Sequence, residues 1–152
     1  MEKCQQGAVV KVRSNGQVFM MAQSRASNGL LGGHGKYKKL QIADSDEILG
    51  MALRECINDR KPGFYTPHMH KEKDAHQAMM KEYLEDRGIV SDKVFYKGTK
   101  GFSVDEFPDR IEFFASGPDS PIKGGPHVVV PHNASDVELA QAMRRTLEFC
   151  LA

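Results

Sequence analysis

Two short runs near the start of the chain are rich in apolar and β-branched residues and flank a turn signal. The runs span residues 8–12 and 18–22, and Asn15-Gly16 lies between them. Asn-Gly is favoured in the tight turns of β-hairpins because both residues tolerate a positive φ angle. The pattern therefore predicts that the first two strands form an antiparallel hairpin.

The chain also contains a degenerate repeat with an offset of 90 residues, in which residues 40–54 align with residues 130–144. Ser-Asp, Leu, Ala and Arg recur in register, and in each copy a short β-prone run precedes apolar residues at helical spacing. These apolar positions are Leu49, Ala52, Leu53, Cys56 and Ile57 in the first copy, and Leu139, Ala142, Met143, Thr146, Leu147 and Cys150 in the second. Each copy therefore predicts a strand and an amphipathic helix that needs a sheet or a partner helix to cover its apolar face.

Polar residues before each predicted helix have the spacing of a capping box. Asp44 precedes Glu47 by three positions, and Ser135 precedes Glu138 by three. In a capping box the first side chain accepts a hydrogen bond from a free backbone N–H, and the second reaches back to the cap. We therefore interpret the polar residues at both helix starts as caps rather than catalytic groups: Asp44, Asp46, Ser135 and Asp136.

Three further segments complete the predicted fold. Residues 71–87 show one apolar face and end at Gly88, a frequent helix stop. Residues 110–115 predict a strand, while residues 93–97 and 102–104, joined by a glycine-containing turn, are candidates for a second hairpin. Together the elements predict an α+β fold, or an α/β two-layer fold, with about three helices on a mainly antiparallel sheet of five to seven strands.

The composition is that of an ordinary globular protein, with 40% apolar and 27% charged residues. It excludes disordered, collagen-like and coiled-coil classes, and the length predicts one domain over residues 1–152. No run approaches the ~18 uninterrupted apolar residues of a membrane span, and the first residues do not lead into the apolar stretch of a signal peptide. We therefore expect a cytoplasmic protein that does not contact membranes.

The three cysteines, Cys4, Cys56 and Cys150, are odd in number and far apart in the sequence. Neither a disulfide framework nor a zinc ribbon is indicated, and a reducing compartment fits this pattern. Cys56 and Cys150 fall on the apolar faces of the predicted helices, where a thiol behaves as a small buried hydrophobe. Cys4 lies close to a terminus that we expect to be frayed.

The formal net charge of +1 is distributed unevenly. Residues 1–42 carry seven Lys or Arg and one Glu, and residues 102–122, which include Asp119, carry five acids and one Arg. The pI of about 7.8 lies below the value of about 9 expected of a dedicated nucleic-acid-binding domain. Binding of nucleic acid through the basic first part is therefore the weakest functional hypothesis, and we expect no direct nucleic-acid partner.

A glycine-rich stretch at residues 29–36 superficially resembles a phosphate-binding loop. Its glycines and Lys36 do not have the spacing of that motif, and the stretch runs into a predicted strand rather than a helix. We therefore predict a flexible connection between strands there.

Three histidines lie close together in the sequence, at His68, His70 and His76, with Glu72 and Asp74 between them. Imidazole and carboxylate groups ligate zinc or manganese, and they also serve as general acids and bases. The His-x-His spacing is loose and no cysteine supports a metal site, so a solvated start of the central helix is the favoured interpretation. A small metal-dependent hydrolase or nuclease that uses the three histidines is therefore the alternative function, although no catalytic residue, metal ligand or cofactor is assigned.

Aromatic residues inside polar, proline-containing segments give modest support to a binding protein. They occur in residues 61–67, around Tyr65, and in residues 104–109, around Phe107. Exposed aromatics bordered by charge are typical of interface centres, whereas packing beneath a loop is the structural alternative.

Residues 44–60 resemble the signature of immunity proteins from bacterial contact-dependent growth inhibition systems. A polar cap, a Leu-Gly pair and an Ala-Leu-Arg triplet occur at similar spacing in that group, and the pattern reappears in residues 134–150. Two positions depart from it. Asp59 stands where the group has a serine, and Ala140 replaces the glycine in the second copy.

The resemblance implies a cytoplasmic, non-enzymatic protein that binds the toxic C-terminal domain of a cognate delivered effector, often a nuclease, and blocks its active site. The shared motif is a helix-and-cap element, so it supplies no contact residues. A nuclease has a cationic substrate groove, which an acidic segment can occupy. On this argument the first partner-binding candidates are Asp105, Glu106 and Asp109 with Phe107 as an apolar anchor, and the second are Tyr65, Glu72 and Asp74.

Overall fold

The computed structural model describes residue 4, residues 6–116 and residues 126–150. The strands of this part are β1 (Gln6–Val12), β2 (Gln17–Arg25), β3 (Leu31–Gln41), β4 (Lys100–Glu106), β5 (Arg110–Ser116) and β6 (Val128–Pro131). The helices are α1 (Asp46–Asn58), α2 (Lys73–Arg87), α3 (Asp92–Tyr96) and α4 (Asp136–Leu147). No helix in the described ranges is long and apolar enough to cross a membrane.

The strands form a six-stranded sheet in the order β3-β2-β1-β4-β5-β6, and every neighbouring pair is antiparallel. The predicted α+β class with a mainly antiparallel sheet of five to seven strands is therefore confirmed. The order also leaves β3 and β6 at the two edges of the sheet.

The predicted first hairpin is confirmed. β1 and β2 pair so that Val9 lies opposite Met21, and the turn between them is closed by a hydrogen bond from the backbone N–H of Gly16 to the carbonyl of Arg13, at 2.9 Å. Gly16 has a φ of +89°, a conformation that favours glycine. The Asn-Gly signal therefore marks the turn that sets the register.

The predicted second hairpin is wrong. Of the residues 93–97 predicted as its first strand, 93–96 belong to helix α3 and Lys97 is the C-cap of that helix. Ser91 caps α3 by accepting a hydrogen bond from the N–H of Val94 at 3.3 Å. This turn buries Phe95 edge-to-face against Phe19, with ring centroids 5.1 Å apart. β4 pairs instead with β1 and β5. Tertiary packing overrides the β-propensity of the Val-Phe-Tyr run, and α3 is a fourth helix where about three are predicted.

The flexible connection predicted over residues 29–36 is also wrong, because most of this stretch belongs to β3. The strand begins at Leu31 and pairs with β2 along its length. The register shifts opposite Met21, where residues 35–37 face a single residue of β2. Gly35 has a φ of +76° at this irregularity, which explains why glycine is suited to the position.

Helices α1 and α4 pack against each other and against one face of the sheet. Their apolar positions, predicted from the repeat, form the main core with alternate residues of the strands. The fully buried large side chains of this core include Leu49, Leu53, Ile57, Leu139 and Met143 from the helices and Val10, Met20, Phe102, Ile111 and Phe113 from the strands. Each such side chain contributes about 1.5–3 kcal/mol of hydrophobic free energy when fully buried.

The repeat corresponds to a reciprocal arrangement of the two helices. Arg54 of α1 donates to Asp136 Oδ1 at 2.6 Å and also to a carbonyl just before α4. Arg144 of α4 donates to Asp46 Oδ1 at 2.8 Å and to two carbonyls just before α1, each at 3.0 Å. Each arginine therefore binds the capping segment of the other helix, which explains why Arg and Asp recur in register.

The capping prediction is confirmed for α4 and displaced by one residue for α1. Ser135 accepts from the backbone N–H of Glu138, and Glu138 accepts from the backbone N–H of Ser135, both at 3.1 Å. In the first copy Ser45, rather than Asp44, is the N-cap. Asp44 Oδ2 instead accepts from the backbone N–H of Gln41, the last residue of β3, at 2.9 Å.

On the other face of the sheet, Phe95 of α3 packs against Phe19 of β2, and the last turn of α2 lies next to α3. The predicted helix end is confirmed, since Gly88 has a φ of +81° directly after α2. Arg87 is buried and its guanidinium lies 4.3 Å above the ring of Phe95. It also forms an ion pair with Asp92 at 2.8 Å. The apolar face predicted for this helix is not in the main core, because α2 lies beside β3 rather than over the sheet centre.

All three cysteines are buried and free. The burial of Cys56 and Cys150 is therefore confirmed, whereas the expectation of a frayed Cys4 is wrong. Cys4 donates its thiol proton to the carbonyl of Gln6 at 2.8 Å. Burial raises the pKa of the Cys4 thiol to about 11, with a further contribution from the charge of Asp105, and burial likewise raises the pKa of Cys56 to about 11.

Candidate functional site

The acids nominated around residue 105 do not share one surface. Asp105 and Glu106 are the last two residues of β4 rather than loop residues, so their side chains project to opposite faces of the sheet. Asp105 lies directly opposite Glu112 of β5. Burial raises the pKa of the Asp105 carboxyl, and the charge of Glu112 adds to this effect, while a hydrogen bond from Cys4 opposes it. Asp119 lies outside the described residues.

Glu106 is held within the fold. Its side chain is 10% exposed and accepts hydrogen bonds from Gln6 Nε2 at 2.5 Å and from Arg60 Nη2 at 3.2 Å. Its second oxygen lies 3.5 Å from His132 Nε2. The carboxylate therefore holds three segments together: β1, the segment after α1 and the segment after β6. These contacts stabilise the fold.

Phe107 and Asp109 differ in exposure. Phe107 is 9% exposed, and the guanidinium of Arg110 lies 4.3 Å from the centre of its ring. The side chain of Asp109 is 70% exposed and pairs with Arg110 at 2.7 Å. Phe107 therefore does not present the exposed apolar anchor that its sequence context suggests, whereas Asp109 remains accessible to a partner.

The predicted histidine cluster lies at the start of α2. His68 Nδ1 accepts from the backbone N–H of His70 at 3.1 Å and from that of the next residue at 3.0 Å, so its ring nitrogen orders the turn before the helix. Glu72 accepts from the N–H of His68 at 3.1 Å, Asp74 lies in the first turn of α2, and His76 lies one turn into that helix. Within the described part of the chain, no group of three or more His, Cys, Asp or Glu side chains is arranged to hold a metal ion.

A cleft opens between the irregular part of edge strand β3 and helix α2. Two hydrogen bonds to the backbone of the strand, and a third from Lys39 Nζ to the carbonyl of Asp86, fix the helix beside the strand. Tyr83 Oη donates to the carbonyl of Gly33 at 2.8 Å, and the N–H of Tyr37 donates to Asp86 Oδ2 at 2.7 Å. These bonds satisfy backbone groups of an edge strand, which proteins commonly cover with another element. Residues 34–36, which lie between the two attachment points, form one wall of the cleft.

The cleft has a volume of about 670 Å³, within the range of about 300–1,000 Å³ typical of ligand pockets. Its lining combines aromatic, apolar and acidic side chains. The lining residues are His34, Gly35, Lys36, Phe64, Tyr65, Met79, Glu82, Tyr83, Glu85 and Asp86. Tyr65 is 60% exposed and also borders a second depression of about 480 Å³ that includes Glu72. The structure therefore brings Tyr65 and Glu72 to one surface.

His34 is a buried residue of this lining. Its Nε2 lies 2.8 Å from Ser24 Oγ, and its ring packs on Phe64 with centroids 5.1 Å apart. Burial lowers the pKa of His34, which therefore stays neutral near pH 7. Its Nδ1 is buried without a hydrogen-bond partner among the described residues.

Most of this lining is not identifiable from the sequence. Tyr65 is nominated there because an aromatic lies in a polar segment. Glu82 and Tyr83 look like ordinary positions of a helix, and His34 lies in a stretch predicted to be a flexible connection. The sequence signal for the strand irregularity is the glycine at position 35, but the docking of α2 against it depends on tertiary contacts.

Comparisons with known proteins give likeness in structure but not in sequence. No protein-family model matches the chain, and no curated protein matches it significantly. A protein of unknown function from Neisseria meningitidis has a similar structure, with a TM-score of 0.74 and 12% identity. The match covers 99% of this chain and 99% of that chain. A chain from the CdiA-CT/CdiI toxin and immunity complex of Yersinia pseudotuberculosis also has a similar structure, with a TM-score of 0.72 and 14% identity. This match covers 95% of this chain and 97% of that chain.

These two likenesses establish the fold. Both extend along nearly the whole length of each chain, so the likeness is not confined to one part of the fold. At identities of 12% and 14%, contact residues cannot be carried from one chain to another by alignment alone.

Proposed function

We propose that this chain is a cytoplasmic immunity protein that binds and neutralises the toxic C-terminal domain, a nuclease, of a cognate contact-dependent growth inhibition effector. The observation that carries the proposal is the whole-length structural likeness to a chain from a toxin and immunity complex. The sequence adds a resemblance over residues 44–60 that does not depend on that comparison. We propose that the chain acts by binding alone and catalyses no reaction.

The contact residues of this interaction are also a proposal. Asp109 and Asp105 are the acids of the first nominated set that are not engaged in holding several segments together, and Asp109 is the more exposed. Tyr65 and Glu72 border one depression and so can act together at an interface. Carboxylates on an inhibitor steer it towards a cationic substrate groove and raise the association rate. Under this proposal Glu106 and Phe107 contribute by maintaining the surface, and Asp74 contributes charge near it.

The test is neutralisation of a purified toxin domain encoded next to the gene for this chain. Catalytic cleavage of RNA and DNA by that domain is measured with increasing amounts of the chain, and the affinity is measured by calorimetry. We expect inhibition to reach completion near one chain per toxin domain, and a toxin domain from an unrelated system to be unaffected.

Two results would count against the proposal. One is a cognate toxin domain that remains fully active in the presence of excess folded chain. The other is cleavage of nucleic acid by the chain alone, abolished by a chelator, which would favour the metal-dependent hydrolase that uses His68, His70 and His76. The His76→Ala chain separates the two, because it removes one of the three histidines without changing the depression that Tyr65 and Glu72 border, and it should still neutralise the toxin if binding is the function.

A further inference from the structure

We propose that the cleft between β3 and α2 is a receptor for a basic side chain, an arginine or lysine, carried by a protruding segment of the toxin domain. Tyr65 and Tyr83 would contact the side chain, and Glu82 would supply the opposite charge. This inference rests on the proposed function and goes further by naming the surface and the chemistry of its occupant.

The first step of the argument is that the cleft exists before any partner binds. The hydrogen bonds from Tyr83 to Gly33 and from Tyr37 to Asp86 fix α2 at two points along β3. A preformed cavity avoids the entropic cost of ordering a surface on binding. A volume of about 670 Å³ accommodates a long side chain together with part of the backbone that carries it.

The second step is the charge of the lining. Three acids, Glu82, Glu85 and Asp86, face one lysine, Lys36. Asp86 already accepts the N–H of Tyr37, and Glu85 lies 3.8 Å from Lys81 on the same helix. Glu82 forms no ion pair with any residue in the described ranges, and its carboxylate is therefore the one available to an incoming cation. An anionic occupant would meet net repulsion.

The third step is the aromatic character of the walls. Phe64, Tyr65 and Tyr83 line the cleft together with Met79. Aromatic faces attract guanidinium and ammonium groups, and a methionine side chain packs well against the apolar stem of Arg or Lys. Tyrosine is also enriched among the residues that dominate binding energy at interfaces. Aromatic walls with a free carboxylate at the rim therefore suit a basic side chain better than a purely apolar one.

The fourth step concerns the buried histidine. His34 is neutral near pH 7 because burial lowers its pKa, so it does not repel a cation. Its Nδ1 has no hydrogen-bond partner in the described part of the chain, although it is a buried polar atom of a residue that lines the cleft. Buried polar groups are normally satisfied, and an unsatisfied one beside a preformed cleft is consistent with a site built for a polar ligand.

The experiment uses the full-length chain and the toxin domain encoded next to its gene. Tyr65→Ala and Glu82→Lys change exposed cleft residues, so both variants should fold, which circular dichroism and thermal denaturation check. We expect each variant to raise the Kd for the toxin domain at least tenfold. Tyr65→Phe, which keeps the ring, should bind nearly as well as the wild type. Glu148→Lys, an exposed charge reversal after α4, is the matched control and should leave the Kd unchanged.

Complementary charge reversals, one in the toxin domain and one in this chain, identify the residue that occupies the cleft. Each exposed Lys and Arg of the toxin domain is changed in turn to Glu. We expect one of these variants to bind the wild-type chain poorly and to regain at least tenfold in affinity when the partner is the Glu82→Lys chain. Tighter binding of the unmodified toxin domain by Glu82→Lys would overturn the inference, because it would indicate an anionic occupant.

The outcomes separate this inference from the proposed function. If the wild type neutralises the toxin domain and the Tyr65→Ala and Glu82→Lys variants do so with unchanged Kd, the cleft is not the receptor and the immunity function stands. If the wild type itself neither binds nor neutralises the toxin domain, the proposed function fails, and the cleft inference fails with it.

Discussion

Gly50 shows how closely the two core helices approach each other at the scale of a single residue. A Cβ added to this glycine would lie 1.7 Å from the carbonyl oxygen of Asp136, a backbone atom at the start of α4. Gly50→Ala should therefore lower the free energy of unfolding by about 3 kcal/mol, because overpacking outweighs a gain of about 1 kcal/mol in helix propensity. Urea denaturation measures the loss. Met51→Ala, at an exposed neighbouring position, is the control, and an equal loss there would contradict the explanation.

Glu106 and Asp109 should respond differently to truncation, although both were nominated as acids of one segment. Glu106→Ala removes the acceptor shared by Gln6 and Arg60 and should cost about 1–3 kcal/mol of stability. Asp109→Ala, at an exposed position, should change stability by no more than about 0.5 kcal/mol. Thermal denaturation distinguishes them, since a chain of this size loses about 2–4 °C in Tm per kcal/mol. Two equally stable variants would show that the Glu106 contacts contribute nothing.

Asp105 should make stability depend on pH. Burial and the charge of Glu112 hold the pKa of this carboxyl above its value in the unfolded chain, against the opposing influences of Cys4 and Arg25. The folded state therefore binds this proton more tightly. The ionised carboxylate destabilises the fold increasingly as the pH rises from the unfolded pKa, about 3.9, through the folded pKa, and by a constant amount above it.

Replacement of this carboxyl by a neutral amide tests the pH effect. Asp105→Asn should stabilise the protein at pH 7, lose that advantage as the pH falls through the folded pKa, and keep none of it below about 4. Unfolding free energies from urea titrations at several pH values give the comparison. Asp109→Asn, at an exposed acid, serves as the control. A stabilisation by Asp105→Asn that is the same at pH 3 and pH 7 would show that ionisation is not its cause.

At the scale of elements, α1 and α4 are held together by two arginines. Each lies in one helix and donates hydrogen bonds to the capping segment of the other. Arg144 donates to Asp46 and to two carbonyls before α1. Arg144→Met should therefore cost about 1–3 kcal/mol, because it leaves these acceptors without their donor. Arg145→Met changes an exposed residue one position away and should cost little. Urea denaturation of both variants provides the measurement. Equal free energies of unfolding for the two variants would show that the Arg144 hydrogen bonds do not stabilise the helix pair.

Helix α2 illustrates a different kind of attachment. It is tied to the edge of β3 by hydrogen bonds rather than by a shared apolar core, and Arg87 at its last turn is its buried residue. Because few apolar side chains hold it, the helix depends for its position on hydrogen bonds to the backbone at Gly33 and Tyr37, on either side of Gly35. The same arrangement leaves the cleft open between the two elements.

At the scale of the whole molecule, the three thiols report on the integrity of the fold. Cys4 precedes β1, Cys56 lies in α1 and Cys150 follows α4, and all three are buried. Because burial raises the pKa of Cys4 and Cys56 to about 11, only about one thiol in a thousand is ionised at pH 8 at these positions, and a thiolate is the reactive form.

Thiol labelling should therefore follow unfolding. At pH 8 we expect slow reaction of the native protein with iodoacetamide and rapid reaction of all three cysteines in concentrated urea. Mass spectrometry counts the labels. Rapid labelling of Cys4 in the absence of urea would indicate that the segment before β1 opens independently of the rest of the fold.

The sequence determined the elements whose signals are local. The Asn-Gly turn, the apolar stripes of α1 and α4, the capping box at Ser135 and the stop at Gly88 each arise from residues within a few positions of one another, and local backbone preferences decide such features. Tertiary structure alone decided that residues 93–97 begin in a helix that buries Phe95, that Asp105 and Glu106 project to opposite faces, and that α2 docks on β3 to form a cleft. These features depend on contacts between residues far apart in the chain, and no short-range pattern encodes which distant segment a strand, helix or carboxylate will meet.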